Sequence, residues 1–176
     1  MVDYKKYITE VPNFPTKGVN FKDISPLLAN DKMFKMAVVE LGTMVGIPDY
    51  WIGIDARGFI FASALAATYR GGVVMCRKGG KLPKPTSNYS YQTEYSSDEL
   101  SMHFGSGTAV IVDDVLATGG TLQATNYLAG VAGYTVIDNL VLIDLKYVPK
   151  VITSVADGSK EFDLEVKSLI QYEDTI

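Results

Sequence analysis

Two adjacent carboxylates, Asp113 and Asp114, end the apolar run 109–112. The small-residue stretch Ala117-Thr118-Gly119-Gly120-Thr121 follows shortly after. The Gly119-Gly120 pair lets the backbone turn tightly and approach a bound group without a Cβ in the way. Successive N–H groups of 117–121, opening onto a helix that can continue through 122–128, form a cradle for a phosphate. Carboxylates repel phosphate, so Asp113 and Asp114 suit sugar hydroxyls, or a cation that escorts the phosphate. Hydroxyls and phosphate on one ligand indicate a phosphorylated ribose. No lysine follows the glycines as a GxxxxGK loop requires, and no GxGxxG pattern is formed, which disfavours a dinucleotide.

A second glycine-flanked turn, Gly53-Ile54-Asp55-Ala56-Arg57-Gly58, joins an apolar run to a helical stretch. It is either an ordinary strand-to-helix turn with a solvated arginine, or a loop whose N–H groups and guanidinium meet a diphosphate. Arg77, Lys78 and Lys81 concentrate three cations in an acidic chain, as a solvated basic face or an anion site. Glu94 and Phe21 carry no signal alone; the first is one of many glutamates and the second reads as core. Cys76, inside Val73-Val74-Met75-Cys76, reads as strand filler. His103 is the single histidine, which makes no transition-metal site and suits solvation at a strand end.

The elements that must position these groups alternate. Apolar runs of strand length occupy 50–54, 72–76, 109–112 and 140–145. Helical spacing appears in 31–45, where Phe34, Val38, Leu41 and Val45 share a face and Asp31 is the expected N-cap. Residues 59–69 form a second helix. A third, 121–132, turns Leu122, Thr125 and Leu128 inward and ends near Gly130 or Gly133. Such alternation predicts an α/β domain with a parallel sheet covered by helices on both faces. Residues 81–98, with Pro83, Pro85, Tyr89, Tyr91 and Tyr95, break the pattern as a long loop of lid or binding type. Part of it is open to an antiparallel ribbon, because Tyr89, Tyr91 and Thr93 alternate. The first thirty residues, helical in period only over 4–11, are expected to wrap the ligand edge as a small hood.

At 176 residues, 47% apolar and 20% charged, the chain is long enough for one full core. A net charge of −4 argues against general nucleic-acid binding, which needs a basic footprint. No 18-residue apolar window exists, so no membrane span is expected. The first residues lack a signal-peptide core, and a single cysteine fits a reducing compartment, so cytoplasmic residence is the expectation.

Residues 109–121 resemble the phosphoribosyl diphosphate (PRPP) motif of the type I phosphoribosyltransferases. Other segments narrow the resemblance to the adenine phosphoribosyltransferases: Phe14-Pro15-Thr16-Lys17-Gly18-Val19, Phe21-Lys22-Asp23-Ile24-Ser25-Pro26, and Gly53 to Phe59. Arg77 to Pro83, Glu94-Tyr95 and Ser168 to Glu173 complete the set, in the family's order. The resemblance implies the type I fold, a twisted parallel sheet flanked by helices with an N-terminal hood and a lid. It implies transfer of a phosphoribosyl group from PRPP to adenine. Asp113 and Asp114 would hold the ribose hydroxyls, and Ala117, Thr118, Gly119, Gly120 and Thr121 the 5-phosphate. Asp55, Ala56, Arg57, Arg77, Lys78 and Lys81 would bind the diphosphate, with a cis peptide at Asp55-Ala56. Glu94 would act as acid–base group together with Arg57 in catalysis, and Tyr95 would belong to the lid. Phe21 would stack on the adenine, beside Asn20, Lys22 and Val115. Three of these depart from the usual pattern: Lys22 replaces an arginine, Asn20 a small apolar residue and Val115 a leucine. Residues 103–108 are also shorter than usual. Mg²⁺ would be bound mainly through PRPP rather than by a protein metal site, and the chain would be a homodimer.

Overall fold

The computed structural model describes residues 2–92, 97–150 and 164–174. A short 3₁₀ turn at Tyr4–Tyr7 precedes β1 (Thr9–Pro12) and β2 (Asn20–Asp23), then α1 (Ser25–Ala29) and α2 (Asp31–Thr43). Next come β3 (Tyr50–Ile54), α3 (Gly58–Thr68), β4 (Gly72–Lys78), β5 (Ser87–Gln92) and β6 (Ser97–Met102). The remainder is β7 (Gly107–Leu116), α4 (Gly120–Ala132), β8 (Tyr134–Leu145) and β9 (Lys167–Tyr172).

Among the described residues seven strands form one sheet in the order β5-β6-β4-β3-β7-β8-β9, and β1 with β2 forms a separate antiparallel pair. Neighbours from β4 through β9 run parallel. Side chains alternate across the central strands, which are apolar on both faces. Trp51, Val110 and Val112 pack with Val38 and Leu41 of α2 and Phe61 and Leu65 of α3. Ile52, Ile54, Cys76 and Ile111 pack with Leu122 and Leu128 of α4 on the opposite face. Cys76 is thus core, as its apolar run predicts.

Several elements differ from the sequence expectation. The sheet is mixed, because part of the expected loop 81–98 is an antiparallel ribbon, the alternative that the tyrosine alternation left open. β5 pairs β6 antiparallel from Ser87↔Met102 to Gln92↔Ser97, and β6 pairs β4 through Arg77↔Ser101 and Lys78↔Leu100. The alternation at Tyr89 and Tyr91 is a strand signal after all. β8 begins at Tyr134 rather than at 140, since a register shift disturbs its alternation: Ala109 pairs Val136 but Val110 pairs Asp138. β9 is an edge strand beside β8 that amphipathic periodicity did not single out. The cap of α2 is Asn30, whose side chain accepts from the Met33 N–H at 3.0 Å, rather than Asp31. α4 ends at Gly133, the later of the two glycines.

Candidate active site

β3 connects through α3 to β4 on one side, and β7 connects through α4 to β8 on the other. The strand order therefore reverses between β3 and β7, where an open α/β sheet leaves a crevice at its carboxyl edge. β7 pairs with β3 only as far as Gly53↔Val112, so Asp113 and Asp114 project past their neighbour. The acids belong to the extended end of β7, not to a loop after it. A cleft of about 380 Å³ opens there, with Asp55, Arg57, Asp113, Asp114 and Thr121 on its walls. Gly58 makes the approach possible: a Cβ there would fall 2.6 Å from the Val112 oxygen and 3.2 Å from Asp113 Oδ1.

Both carboxylates line this cleft, close enough to feel each other's charge. Asp114, 5% exposed, ion-pairs with Arg57 at 2.8 Å between Oδ2 and Nε. Its own N–H donates to Asp113 Oδ1 at 2.9 Å. Burial pushes both carboxyls above the ordinary carboxylate range. For Asp113 the shift is large and the neighbouring Asp114 charge adds to it, whereas the Arg57 guanidinium draws Asp114 back down.

Behind the acids, Gly119 adopts φ 87°, which only glycine takes without strain, and α4 begins at Gly120. No side chain caps this N-terminus among the described residues. The first amides of α4 have no carbonyl in their own helix to reach, so they remain available to a ligand. They open toward a hollow of about 100 Å³ lined by Ala117, Thr118, Gly119 and Thr121. Free amides at a helix N-terminus are suited to an anion.

The Asp55–Ala56 peptide is cis, where the resemblance implies it. Asp55 Oδ2 lies 3.4 Å from Arg77 Nε, Lys81 Nζ and the Lys78 N–H. Burial would raise this carboxyl, but the Lys78 amide and the Lys81 and Arg77 charges outweigh it and leave its pKa lowered. Of the three clustered cations, Lys78 lines the cleft while Arg77 and Lys81 are turned onto Asp55. Ala56 also lines the cleft. Arg57, on the cleft wall, is held between Asp114 and the ring of Phe21, with Cζ 4.9 Å from the centroid.

β2 contributes Asn20, Phe21 and Lys22 to the cleft wall. Phe21 meets Phe14 edge-on at 5.3 Å. Lys22 is buried, with Nζ 2.5 Å from Glu10 Oε2 and 4.1 Å from the centre of the Tyr172 ring. Asn20 donates to the same Glu10 oxygen at 2.7 Å. Lys22 and Asn20 therefore reach the cleft wall as parts of a polar tie joining β2, β1 and β9. Val115 lies on the wall beside the acids.

A model of the phosphoribosyl transferase domain matches residues 41–156. The adenine phosphoribosyltransferase of Bdellovibrio bacteriovorus is 43% identical over 97% of this chain and all of its own length. That of Mycoplasma mobile is 41% identical over 97% of each. The chain belongs to the adenine phosphoribosyltransferases. Among solved adenine phosphoribosyltransferases, the Thermoanaerobacter pseudethanolicus structure superposes with a TM-score of 0.83 at 38% identity, covering 96% of this chain and 97% of that one. The Giardia lamblia structure, a complex with 9-deazaadenine, gives 0.83 at 29%, covering 97% and 96%.

Glu94 and Tyr95, expected from the resemblance as acid–base group and lid residue, fall outside the described residues. The cleft holds further side chains that the motifs did not flag. Tyr91, Asp98 and Leu100, from the two ribbon strands, line it. The Tyr91 hydroxyl lies 3.1 Å from Thr121 Oγ1, joining the ribbon to the first turn of α4. The alternation that placed Tyr91 on a strand was visible in the sequence, but its partner 30 positions away, a threonine in another motif, was not.

Proposed function

We infer that this chain carries out the reaction of its family: adenine plus PRPP gives AMP and pyrophosphate, a purine-salvage step. The observation that carries this reading is the paired acids Asp113 and Asp114 at the mouth of an amide cradle, inside one cleft roofed by Phe21. A ribose 5-phosphate fits that order of groups, with hydroxyls on the acids and phosphate on the amides of 117–121. Lys78 and the amides of the Asp55–Arg57 turn then face the diphosphate, and Arg77 and Lys81 supply positive potential at its edge.

Adenine N9 attacks the anomeric carbon as the bond to the diphosphate oxygen breaks, through a cationic, oxocarbenium-like state. The two electrons of the broken bond leave with pyrophosphate, and the base sheds a proton. Glu94 is assigned that proton shuttle at N7, with Tyr95 in the segment that closes over the site. Excluding water is part of the task, because hydrolysis of PRPP is the competing reaction.

The donor set suits a magnesium ion that arrives with the substrate. Mg²⁺ prefers one or two carboxylates plus phosphate oxygens and water, and Asp113 and Asp114 form a buried acidic pair whose ionised forms burial opposes. When bound, the ion neutralises charge on the departing diphosphate. The reading also includes a homodimer residing in the cytoplasm. No described helix is long and apolar enough to cross a membrane.

A spectrophotometric assay of PRPP with adenine, hypoxanthine and guanine tests the reading, with turnover expected for adenine alone. Absence of turnover with every base would overturn it in favour of a nucleotide sensor. Glu94→Ala should lower kcat by about 10²–10⁴-fold, the usual contribution of a general acid or base. Near-normal turnover would remove Glu94 from the chemistry.

A further inference from the structure

We infer that Lys150 is a positioning residue for the phosphate end of the substrate: its ammonium fixes the Ala117 carbonyl and so turns the Thr118 amide toward the cradle. The inference rests on reading residues 117–121 as the 5-phosphate site. Lys150 Nζ donates to Ala117 O at 2.8 Å, Leu145 O at 3.0 Å and Asp144 Oδ1 at 3.1 Å. An ammonium has three hydrogens, so these three acceptors use its whole donor capacity.

Lys150 reaches the loop from behind. It lines a separate cavity with Leu116, Asp144 and Val148 and lines neither the cleft nor the cradle. It therefore acts on a ligand through the loop rather than by touching it. The peptide between Ala117 and Thr118 is trans, cis bonds being confined among described residues to three other positions. In a trans peptide the N–H points opposite to the preceding C=O. An ammonium seated on the Ala117 oxygen thus directs the Thr118 N–H away from itself, toward the side where the α4 amides open.

Charge supplies a second reason. Asp144 is 1% exposed and stands beside Leu116 in the strand register, just behind the loop. Unpaired, that carboxylate would repel a phosphate on the other side. Lys146 Nζ at 2.6 Å and Lys150 neutralise it and leave a net positive charge at the back of the cradle. The turn carrying both lysines is itself anchored: the Lys146 N–H donates to Tyr172 O at 2.9 Å and the Val148 N–H to Leu145 O at 3.1 Å. The geometry is thus held by the sheet, not by the loop it serves.

The experiment compares AMP and adenosine binding by calorimetry in the wild-type chain, Lys150→Met and Lys150→Arg, with KM measured for PRPP and for adenine. Wild type is expected to prefer AMP strongly over adenosine. Lys150→Met should weaken AMP by about tenfold or more, the size of one charge-assisted hydrogen bond, and leave adenosine unchanged. KM for PRPP should rise in step, while KM for adenine holds. Lys150→Arg keeps the charge but cannot converge its donors on one point, so it should fall between the two. A Lys150→Met chain that retains the wild-type preference for AMP overturns the inference. Equal weakening of AMP and adenosine also overturns it, as the mark of a merely structural role. If the methionine variant does not fold, the arginine variant decides by the same comparison. A wild-type chain with no preference for AMP would instead sink the reading of the cradle.

Discussion

Arg57 Nε stands 2.8 Å from Asp114 Oδ2, and the same guanidinium covers the Phe21 ring. One side chain thus links the acid proposed for the ribose with the aromatic proposed for the base. Burial raises the Asp114 pKa and Arg57 opposes that rise, so removing the arginine lets it climb further. A ribose hydroxyl donates best to an ionised carboxylate, and a protonated Asp114 is a poorer acceptor. Arg57→Gln should therefore move the acid limb of kcat/KM for PRPP to higher pH. At neutral pH it should cost about tenfold to a hundredfold, as removing one member of a partly buried ion pair does. A pH–rate profile checks this, and an unmoved acid limb would refute it.

Asp113 is held at a cost to the fold. Its pKa is raised by burial and by Asp114, so the folded state prefers the proton more than the unfolded chain does. Stability is then fullest below the unfolded value and falls as pH rises through the folded one. Asp113→Asn should melt higher than wild type at pH 7, with the gain vanishing on acidification, and should bind PRPP poorly. Each kcal/mol gained corresponds to about 2–4 °C in a domain of this size. Melting curves across pH give the answer; equal Tm values at pH 7 would contradict it.

Glu10 works with the opposite sign. The hydrogen bond from Lys22 is the largest cause holding its carboxyl below the ordinary value, against a smaller rise from burial. That stability is present above the unfolded pKa and lost as pH falls through the lowered folded one. Glu10→Gln leaves the buried Lys22 ammonium with only a neutral amide oxygen and the Tyr172 ring, whose phenol burial has pushed to about 12, in place of a carboxylate. The expected loss is about 1–3 kcal/mol, less than for a fully buried pair because Glu10 keeps partial contact with water. KM for adenine should rise more than KM for PRPP, since β2 carries Phe21. A change confined to PRPP would argue against the hood assignment.

Tyr91→Phe removes one hydroxyl from the contact with Thr121 and leaves the ring in the core. KM for PRPP should rise by about two- to tenfold, the range of a neutral hydrogen bond, with little change in Tm. Unchanged PRPP kinetics would show that the ribbon and the cradle are not coupled through this pair.

Much of this was legible in the chain itself. The acids Asp113-Asp114, the Gly119-Gly120 turn and the Gly53–Gly58 turn are local, because a cradle is built from consecutive amides and needs only small residues in succession. Apolar runs marked β3 and the inner part of β7 because those strands are buried on both faces, and marked β4 by residue type although its Val73 and Met75 are exposed. β9 and the first half of β8 lack that mark: one is an edge strand and the other is interrupted by a shifted register. The ribbon strands were only half visible, since alternation fixes a strand but not its partner.

The sequence alone determined which groups could bind phosphate, hydroxyls and a diphosphate, since residue type and spacing set that chemistry locally. Only the tertiary structure decided how those groups meet. It placed Arg57 on Asp114 rather than facing outward, tied Arg77 and Lys81 to Asp55, and brought Lys150 to Ala117 across thirty-three positions of chain. Such pairings depend on strand order and on which face each side chain takes, and no local pattern encodes either.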